Sequence, residues 1–152
     1  LTTRRSAFGK RASWWIRQPL DVAAVDAAMA RFRGRHDYRA FAKRSAERES
    51  TIVDVERCES AAVGDVILLR FLASHFLWNQ VRRMVGALVT VGTGEARPSD
   101  VDAWLGGESS PPPLSAPAAG LFLEAVRYPG MPFDLAPLAP VGLPAVFARS
   151  GR

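Results

Sequence analysis

The sequence has few residues suited to covalent cross-linking or metal binding. Cys58 is the only cysteine, so neither an intramolecular disulfide nor a cysteine-built zinc or iron–sulfur site can form. The two histidines, His36 and His75, cannot complete a typical metal shell without several carboxylates. A chain of 152 residues can bury a hydrophobic core without such support. The composition therefore predicts one ordinary globular domain.

Long hydrophobic runs and a leader segment are also missing. The sequence contains no run of about 18 apolar residues, so it predicts no membrane span. Residues 1–5 have neither an initiator methionine nor the apolar stretch of a signal peptide. We therefore expect a fragment, a processed half or a trimmed form of a longer protein, located in the cytoplasm.

Positive charge is concentrated in the first third of the chain. Residues 1–50 contain twelve basic and five acidic residues, a net charge of +7, whereas residues 51–152 contain eight basic and ten acidic residues, a net charge of −2. Eighteen of the twenty basic residues are arginine, whose guanidinium pairs with phosphate in a bidentate fork. This distribution favours a nucleic-acid partner, with a solvated arginine-rich surface as the alternative.

The first half of the chain carries signals for one helix and one hairpin. Asp21 is an N-cap candidate for a helix that runs to Phe32, and Gly34 is its candidate C-cap. Residues 35–50 are polar and irregular. Two β-branched runs, 51–58 and 66–72, flank a Gly-Asp turn and predict a hairpin.

The second half adds two helices and a strand. The pattern predicts a helix over 76–91, a short helix over 98–105 and a Pro/Ser/Ala-rich loop over 109–119. Residues 121–128 are typical of a last strand, and the tail 131–152 is Pro/Ala-rich without periodicity. Because helices and strands are mixed without regular alternation, the class is α+β.

A helical wheel of the 76–91 segment separates an apolar arc from a polar face. The arc contains Leu77, Trp78, Val81, Met84, Val85, Leu88, Val89 and Val91, and the opposite face contains Asn79, Arg83, Gly86 and Thr90. Arg82 lies at the edge of the arc, at the rim of the core. Since no carboxylate of the chain is obviously placed to pair with it, we expect its partner on another chain, in a missing part or on a ligand.

The remaining polar candidates favour structural roles. His36-Asp37 resembles half of a catalytic pair, but no serine or cysteine nucleophile accompanies it, so a turn or cap is favoured. We interpret His75 as structural and Cys58 as a small buried residue of a strand.

Five sequence blocks occur in an order typical of one enzyme family. They are Pro19-Leu20-Asp21, Gly34 to Phe41, Phe76 to Gly86, Val91 to Gly94 and Ala116 to Leu123, the last followed by Val126 and Tyr128. Together they resemble the C-terminal half of the TruA-type tRNA pseudouridine synthases. The Phe-Leu-Trp-Asn-Gln start of the helix is closer to the archaeal and eukaryotic branches of that family.

The resemblance implies an α+β fold in which helices pack on one face of an antiparallel β-sheet. Residues 1–130 would form this C-terminal domain, and 131–152 a Pro/Ala-rich tail, for which the sequence leaves both an ordered and a disordered state open. The resemblance also implies a homodimer that clamps the tRNA anticodon arm and isomerises uridine to pseudouridine, with no metal or organic cofactor. The family's nucleophile is an aspartate in a Gly-Arg-Thr-Asp block that this sequence lacks, so we expect the chain alone to be inactive.

The resemblance assigns a role to Arg82, which matches the arginine that pairs with the catalytic aspartate. His36 and Asp37 match a block for which we favour positioning of the chain near the active cleft over acid–base work. The candidate RNA-binding residues are Arg35, His36, Arg39, Lys43 and Arg44.

Two other functions remain open from the sequence. The chain could be a free-standing RNA-binding module that kept the sheet and lost the chemistry, or a fragment that binds no RNA. A Gly-Arg-Thr-Asp block encoded in frame before Leu1 would decide for the enzyme.

Overall fold

The computed structural model describes residues 1–5, 12–43, 50–130 and 135–138, so Arg44 and most of the predicted tail lie outside it. The elements are helix α1 (Val22–Arg31), strand β1 (Gly34–Asp37), a single 3₁₀ turn (Arg39–Phe41), strands β2 (Ile52–Val63) and β3 (Val66–Ala73), and helices α2 (Gln80–Gly92) and α3 (Asp100–Gly106). The three strands form an antiparallel sheet in the order β1-β2-β3. The predicted α+β class is confirmed.

Helix α1 forms where the sequence predicts it. The Asp21 carboxylate accepts a hydrogen bond from the Ala24 amide (3.1 Å), as an N-cap residue should. Val25 and Met29 are buried against the core. The predicted C-cap is wrong, because Phe32 caps the helix and Gly34 begins β1.

Strand β1 lies mostly in a segment, 35–50, for which the sequence predicts no regular structure. Residues 34–37 pair with β2 from Gly34–Val55 to Asp37–Ile52. Backbone pairing with a long neighbouring strand, and not hydrophobic alternation, stabilises this short polar strand at the sheet edge.

The predicted hairpin is confirmed, and β2 extends five residues past the predicted end. Gly64 has a φ of 58° in the connecting turn, a conformation that glycine adopts at little cost. The pairing shifts between Val55 opposite Ala73 and Arg57 opposite Leu72, which leaves Glu56 as the extra residue of a β-bulge. Because of this bulge, both Val55 and Cys58 pack against the core that the helices cover.

Helix α2 begins at Gln80 and not at Phe76. Asn79 has a left-handed backbone (φ 65°), which interrupts any helix upstream of it. The Gln80 side chain then accepts a hydrogen bond from the Leu77 amide (2.9 Å) and fixes the turn that precedes the helix.

The predicted polar face of α2 is wrong at two positions. Gly86 and Thr90 are buried, whereas Trp78, assigned to the apolar arc, is 70% exposed. Gly86 is buried because residues 114–116 cross the helix there, and Trp78 lies before the helix, which the left-handed backbone of Asn79 keeps from extending upstream. A Cβ atom on Gly86 would lie 2.1 Å from the Leu114 carbonyl oxygen, so only glycine permits the crossing.

The last predicted strand is also wrong. Residues 121–128 form no regular element and find no strand partner among the described residues. Ion pairs hold this segment to the sheet instead, from Glu124 to Arg70 (2.6 Å) and from Arg127 to Glu56 (2.9 Å). Its apolar side chains are largely exposed: Leu121, Phe122, Leu123, Val126 and Tyr128.

The third helix and the loop over 109–119 follow the sequence prediction. In the part of the chain that the structure describes, no helix has the length and apolar character needed to cross a membrane.

Candidate active site

Arg82 lies in the first turn of α2 and is held by two hydrogen bonds. Its Nε donates to the carbonyl oxygen of Ala116 (2.6 Å), and its Nη1 donates to the carboxamide oxygen of Asn79 (3.0 Å). The two acceptors come from different segments of the chain. The guanidinium therefore has a defined plane, and it is half-buried at the rim that the wheel predicts.

The backbone of Arg82 is fixed by the same loop. The Ala116 amide donates to the Arg82 carbonyl oxygen (2.9 Å), so one residue contacts both the main chain and the side chain of the arginine. The close approach of Leu114 to Gly86 brings this loop onto the helix.

The Nη1 and Nη2 donors that these two bonds leave without a partner among the described residues form the open edge of the Arg82 guanidinium. A guanidinium has five N–H donors, and two are used here. Among the described residues no carboxylate pairs with Arg82. The remaining Nη1 and Nη2 donors could bind a carboxylate or a phosphate in bidentate fashion.

Sequence reasoning missed Asn79 and Ala116. Asparagine tolerates the left-handed conformation better than most residues, which is the only local signal for Asn79. No signal exists for Ala116, since its contact uses main-chain atoms 34 residues from Arg82.

Two of the predicted RNA-binding residues lie on β1, where adjacent side chains point to opposite faces. Arg35 is exposed. His36 is half-buried, and its Nε2 lies 2.9 Å from the Arg33 carbonyl oxygen. The structure therefore does not bring Arg35 and His36 together on one surface.

Asp37 forms a side-chain turn, one of the two structural roles that the sequence favours for it. Its carboxylate accepts hydrogen bonds from the Arg39 amide (2.9 Å) and the Thr51 hydroxyl (2.6 Å), and pairs with the Arg39 guanidinium (3.0 Å). Burial alone would raise the pKa of Asp37, but these bonds outweigh it and lower the pKa below its usual value. Arg39 thus keeps an exposed side chain whose charge is partly neutralised.

Lys43 is the predicted RNA-binding residue that the structure connects to the start of α2. Its amide donates to the Trp78 carbonyl oxygen (3.0 Å), and the neighbouring Ala42 carbonyl accepts from Arg83 Nη1 (3.4 Å). Lys43 is exposed, as is the Trp78 indole. One end of α2 therefore carries Arg82, an exposed aromatic ring and an exposed cation.

The other singled-out residues contribute no chemistry to this end of the molecule. Cys58 is half-buried, and burial raises the pKa of its thiol to about 12. His75 is exposed, with Nδ1 3.1 Å from the Ser74 hydroxyl. The described residues include no group of three or more His, Cys, Asp or Glu side chains placed to hold a metal ion.

Arg82 lies within a region of the chain that matches a known protein family. A family profile described as tRNA pseudouridine synthase matches residues 28–129. The chain is 36% identical over 126 residues to the tRNA pseudouridine synthase A of Pelobacter propionicus, covering 82% of this chain and 51% of the relative. Proteins of the same name from Pseudothermotoga lettingae (37% over 123 residues, 80% of this chain and 50% of the relative) and Beijerinckia indica (39% over 118 residues, 77% and 45%) are also similar. The chain spans about half the length of the curated relatives it matches.

Proposed function

Since the chain belongs to the tRNA pseudouridine synthase family, we propose that it supplies the arginine of that active site. The carboxylate that Arg82 pairs with comes from residues outside this chain. The substrate is uridine in the anticodon stem–loop of tRNA, and the product is pseudouridine. The observation that carries the proposal is a guanidinium fixed by Ala116 and Asn79, with an open donor edge and no carboxylate partner among the described residues.

The reaction explains why a fixed arginine is needed. Isomerisation breaks the C1′–N1 bond of uridine and forms a C1′–C5 bond, while a proton leaves C5 and N1 gains one. A nucleophilic carboxylate must be ionised and held in one rotamer to attack the substrate. An adjacent guanidinium favours the ionised form and fixes its geometry. Arg82 thus acts on the aspartate.

The absence of the family's aspartate block leads to a second part of the proposal. The sequence has no Gly-Arg-Thr-Asp, and its aspartates occur in other contexts. We therefore propose that the 152-residue chain alone forms no pseudouridine. In the longer protein we propose a homodimer that works in the cytoplasm.

The RNA surface in this proposal begins at Lys43, which is tied to the start of α2, and includes the exposed Arg35 and Arg39. Arg44 is proposed from the sequence alone, because it lies outside the described residues, and His36 would contact RNA only from the opposite face of β1. Exposed arginine and lysine neutralise backbone phosphates without reading the bases. The alternative, a non-catalytic RNA-binding module, would use the same surface and no chemistry.

The test combines the chain with the N-terminal half of a curated relative, fused or added in trans, and assays unmodified tRNA. Pseudouridine should form in the combination and not with the chain alone. Arg82→Ala should then slow the single-turnover rate by about 30- to 1,000-fold, comparable to the loss of about 2–4 kcal/mol from an oxyanion-hole donor. Arg82→Lys should recover only part of the rate, because an ammonium cannot form the bidentate fork.

Arg83→Ala is the matched control, since Arg83 lies on the same helical turn but contacts the Ala42 carbonyl. It should weaken tRNA binding at most and leave the chemical step unchanged. Equal rates for Arg82→Ala and the parent would contradict the proposal. Binding of tRNA without turnover in any combination would favour the non-catalytic module, and product from the chain alone would mean that one of its own aspartates is the nucleophile.

A further inference from the structure

Asn79 stands where a side chain ordinarily caps a helix. It is the N-cap residue of α2, and asparagine there commonly accepts from the backbone amide of the second or third helical residue. In α2 no such bond forms. The Asn79 oxygen accepts instead from the guanidinium of Arg82, which is that third residue (3.0 Å).

The backbone of Asn79 is held in an uncommon conformation. It is the one non-glycine residue with a positive φ in the described part of the chain (65°), at a cost of about 1–2 kcal/mol for most residues. Gln80, which is fully buried, imposes the turn: its side chain accepts from the Leu77 amide (2.9 Å) and its own amide donates to the Leu77 carbonyl (3.0 Å). The turn aims the Asn79 carboxamide at Arg82.

We infer that Asn79 is a positioning residue for Arg82. With Ala116 on Nε and Asn79 on Nη1, rotation of the guanidinium about its last bonds is blocked, and Nη2 keeps its donors without a partner among the described residues. A neutral carboxamide aligns the arginine without neutralising its charge, whereas a carboxylate at this position would compete for the open edge. The inference rests on the proposed role of Arg82, because Asn79 acts through it.

Asn79→Gly removes the Asn79 side chain and leaves the backbone conformation unchanged, so it tests the side chain alone. Glycine adopts the left-handed conformation readily, so α2 should still begin at Gln80 and the melting temperature should not fall. In the chain as it is, arginine side-chain NMR should show resolved Nη signals for Arg82. Asn79→Gly should merge them, because rotation about the Nε–Cζ bond is released. Unchanged Arg82 signals would overturn the inference.

Catalysis provides the second measurement, in the combined enzyme described above. Asn79→Gly should lower the single-turnover rate by about tenfold, the effect of one hydrogen bond to a charged group. The tRNA dissociation constant should stay unchanged. Asn79→Asp should slow the reaction at least as much, since its carboxylate occupies Arg82 permanently.

A double-mutant cycle tests whether Asn79 affects the rate through Arg82. In an Arg82→Ala background Asn79→Gly should cause no further loss, because a positioning residue has nothing left to position. Fully additive losses would contradict the inference. If Arg82→Ala slows turnover and Asn79→Gly does not, only the inference about Asn79 fails. If Arg82→Ala has no effect, the proposed function itself fails.

Discussion

Ala116 contacts Arg82 twice, through its carbonyl oxygen to Nε (2.6 Å) and through its amide to the arginine carbonyl (2.9 Å). These two bonds hold the loop and helix α2 in a fixed relative position, or register, at the candidate site. Any change that moves residues 114–116 also moves the guanidinium, although none of these residues carries a charge.

Gly86→Ala should break this register. The added Cβ would lie 2.1 Å from the Leu114 carbonyl oxygen, so the loop must shift. We expect the free energy of unfolding to fall by about 1–3 kcal/mol, the usual cost of overpacking, in urea denaturation. Gly106→Ala is the control, because its Cβ meets nothing nearer than Glu108 Oε1 at 3.7 Å. Similar stability of the two variants would contradict the described crossing.

Removal of four candidate RNA-binding side chains should change the salt dependence of tRNA binding. Replacing Arg35, Arg39, Lys43 and Arg44 by alanine should flatten the slope of log affinity against log salt. The expected change is about 0.7–0.9 for each phosphate that the variant no longer neutralises. The slope is measured by titration at several salt concentrations.

The control for that variant removes the same charge elsewhere, at Arg31, Arg57, Arg97 and Arg127. Three of these arginines pair with carboxylates: Arg31 with Asp102, Arg57 with Glu59 and Arg127 with Glu56. The slope should change less in the control. An equal change in both variants would mean that net charge alone, and not this surface, governs binding.

Stability should decline in alkali because of the half-buried Cys58 thiol and the buried Tyr38 hydroxyl. Burial raises the pKa of the Cys58 thiol to about 12 from 9.0, and burial likewise raises the pKa of the Tyr38 hydroxyl above its usual value. Both groups are protonated in the folded protein. Their contribution is complete below the unfolded-state pKa values, and it is lost as the pH rises through about 9 and above.

Tyr38→Phe tests this pH dependence. It removes the hydrogen bond to the Phe32 carbonyl and should lower the free energy of unfolding by about 1–2 kcal/mol at neutral pH. Between about pH 9 and 11, however, the free energy of unfolding of the variant should fall less steeply than that of the parent. Tyr128→Phe is the control, since Tyr128 is 61% exposed. If the free energy of unfolding of Tyr38→Phe and of the parent fell in parallel with rising pH, Tyr38 would not be a cause of the alkaline instability.

Arg70→Met should loosen the segment after residue 120. The Arg70 side chain is 7% exposed and pairs with Glu59 (3.0 Å) and Glu124 (2.6 Å). Its loss should lower the free energy of unfolding by about 1–3 kcal/mol and speed tryptic cleavage at Arg127. Arg57→Met, which breaks a half-exposed pair to Glu59, should change stability by less than about 0.5 kcal/mol. Unchanged cleavage in Arg70→Met would show that the ion pair does not hold the segment.

The sequence predicts those elements that depend on local signals. The Asp21 cap defines the start of α1, and the wheel places Arg82 at a core rim. It fails where distant backbone atoms decide the outcome: Gly86 is buried because of Leu114, and Arg82 is oriented through Ala116, 34 residues away. No periodicity within a helix contains that information.

The bulge at Glu56 makes β2 tolerant of a change in length at one place. Deleting Glu56 would leave Val55 opposite Ala73 and Arg57 opposite Leu72 in an unbroken ladder, with Val55 and Cys58 still on the core side. Deleting a residue elsewhere in β2 would turn every later side chain to the wrong face. Homologous chains that differ by one residue in this strand should therefore carry the gap beside Glu56.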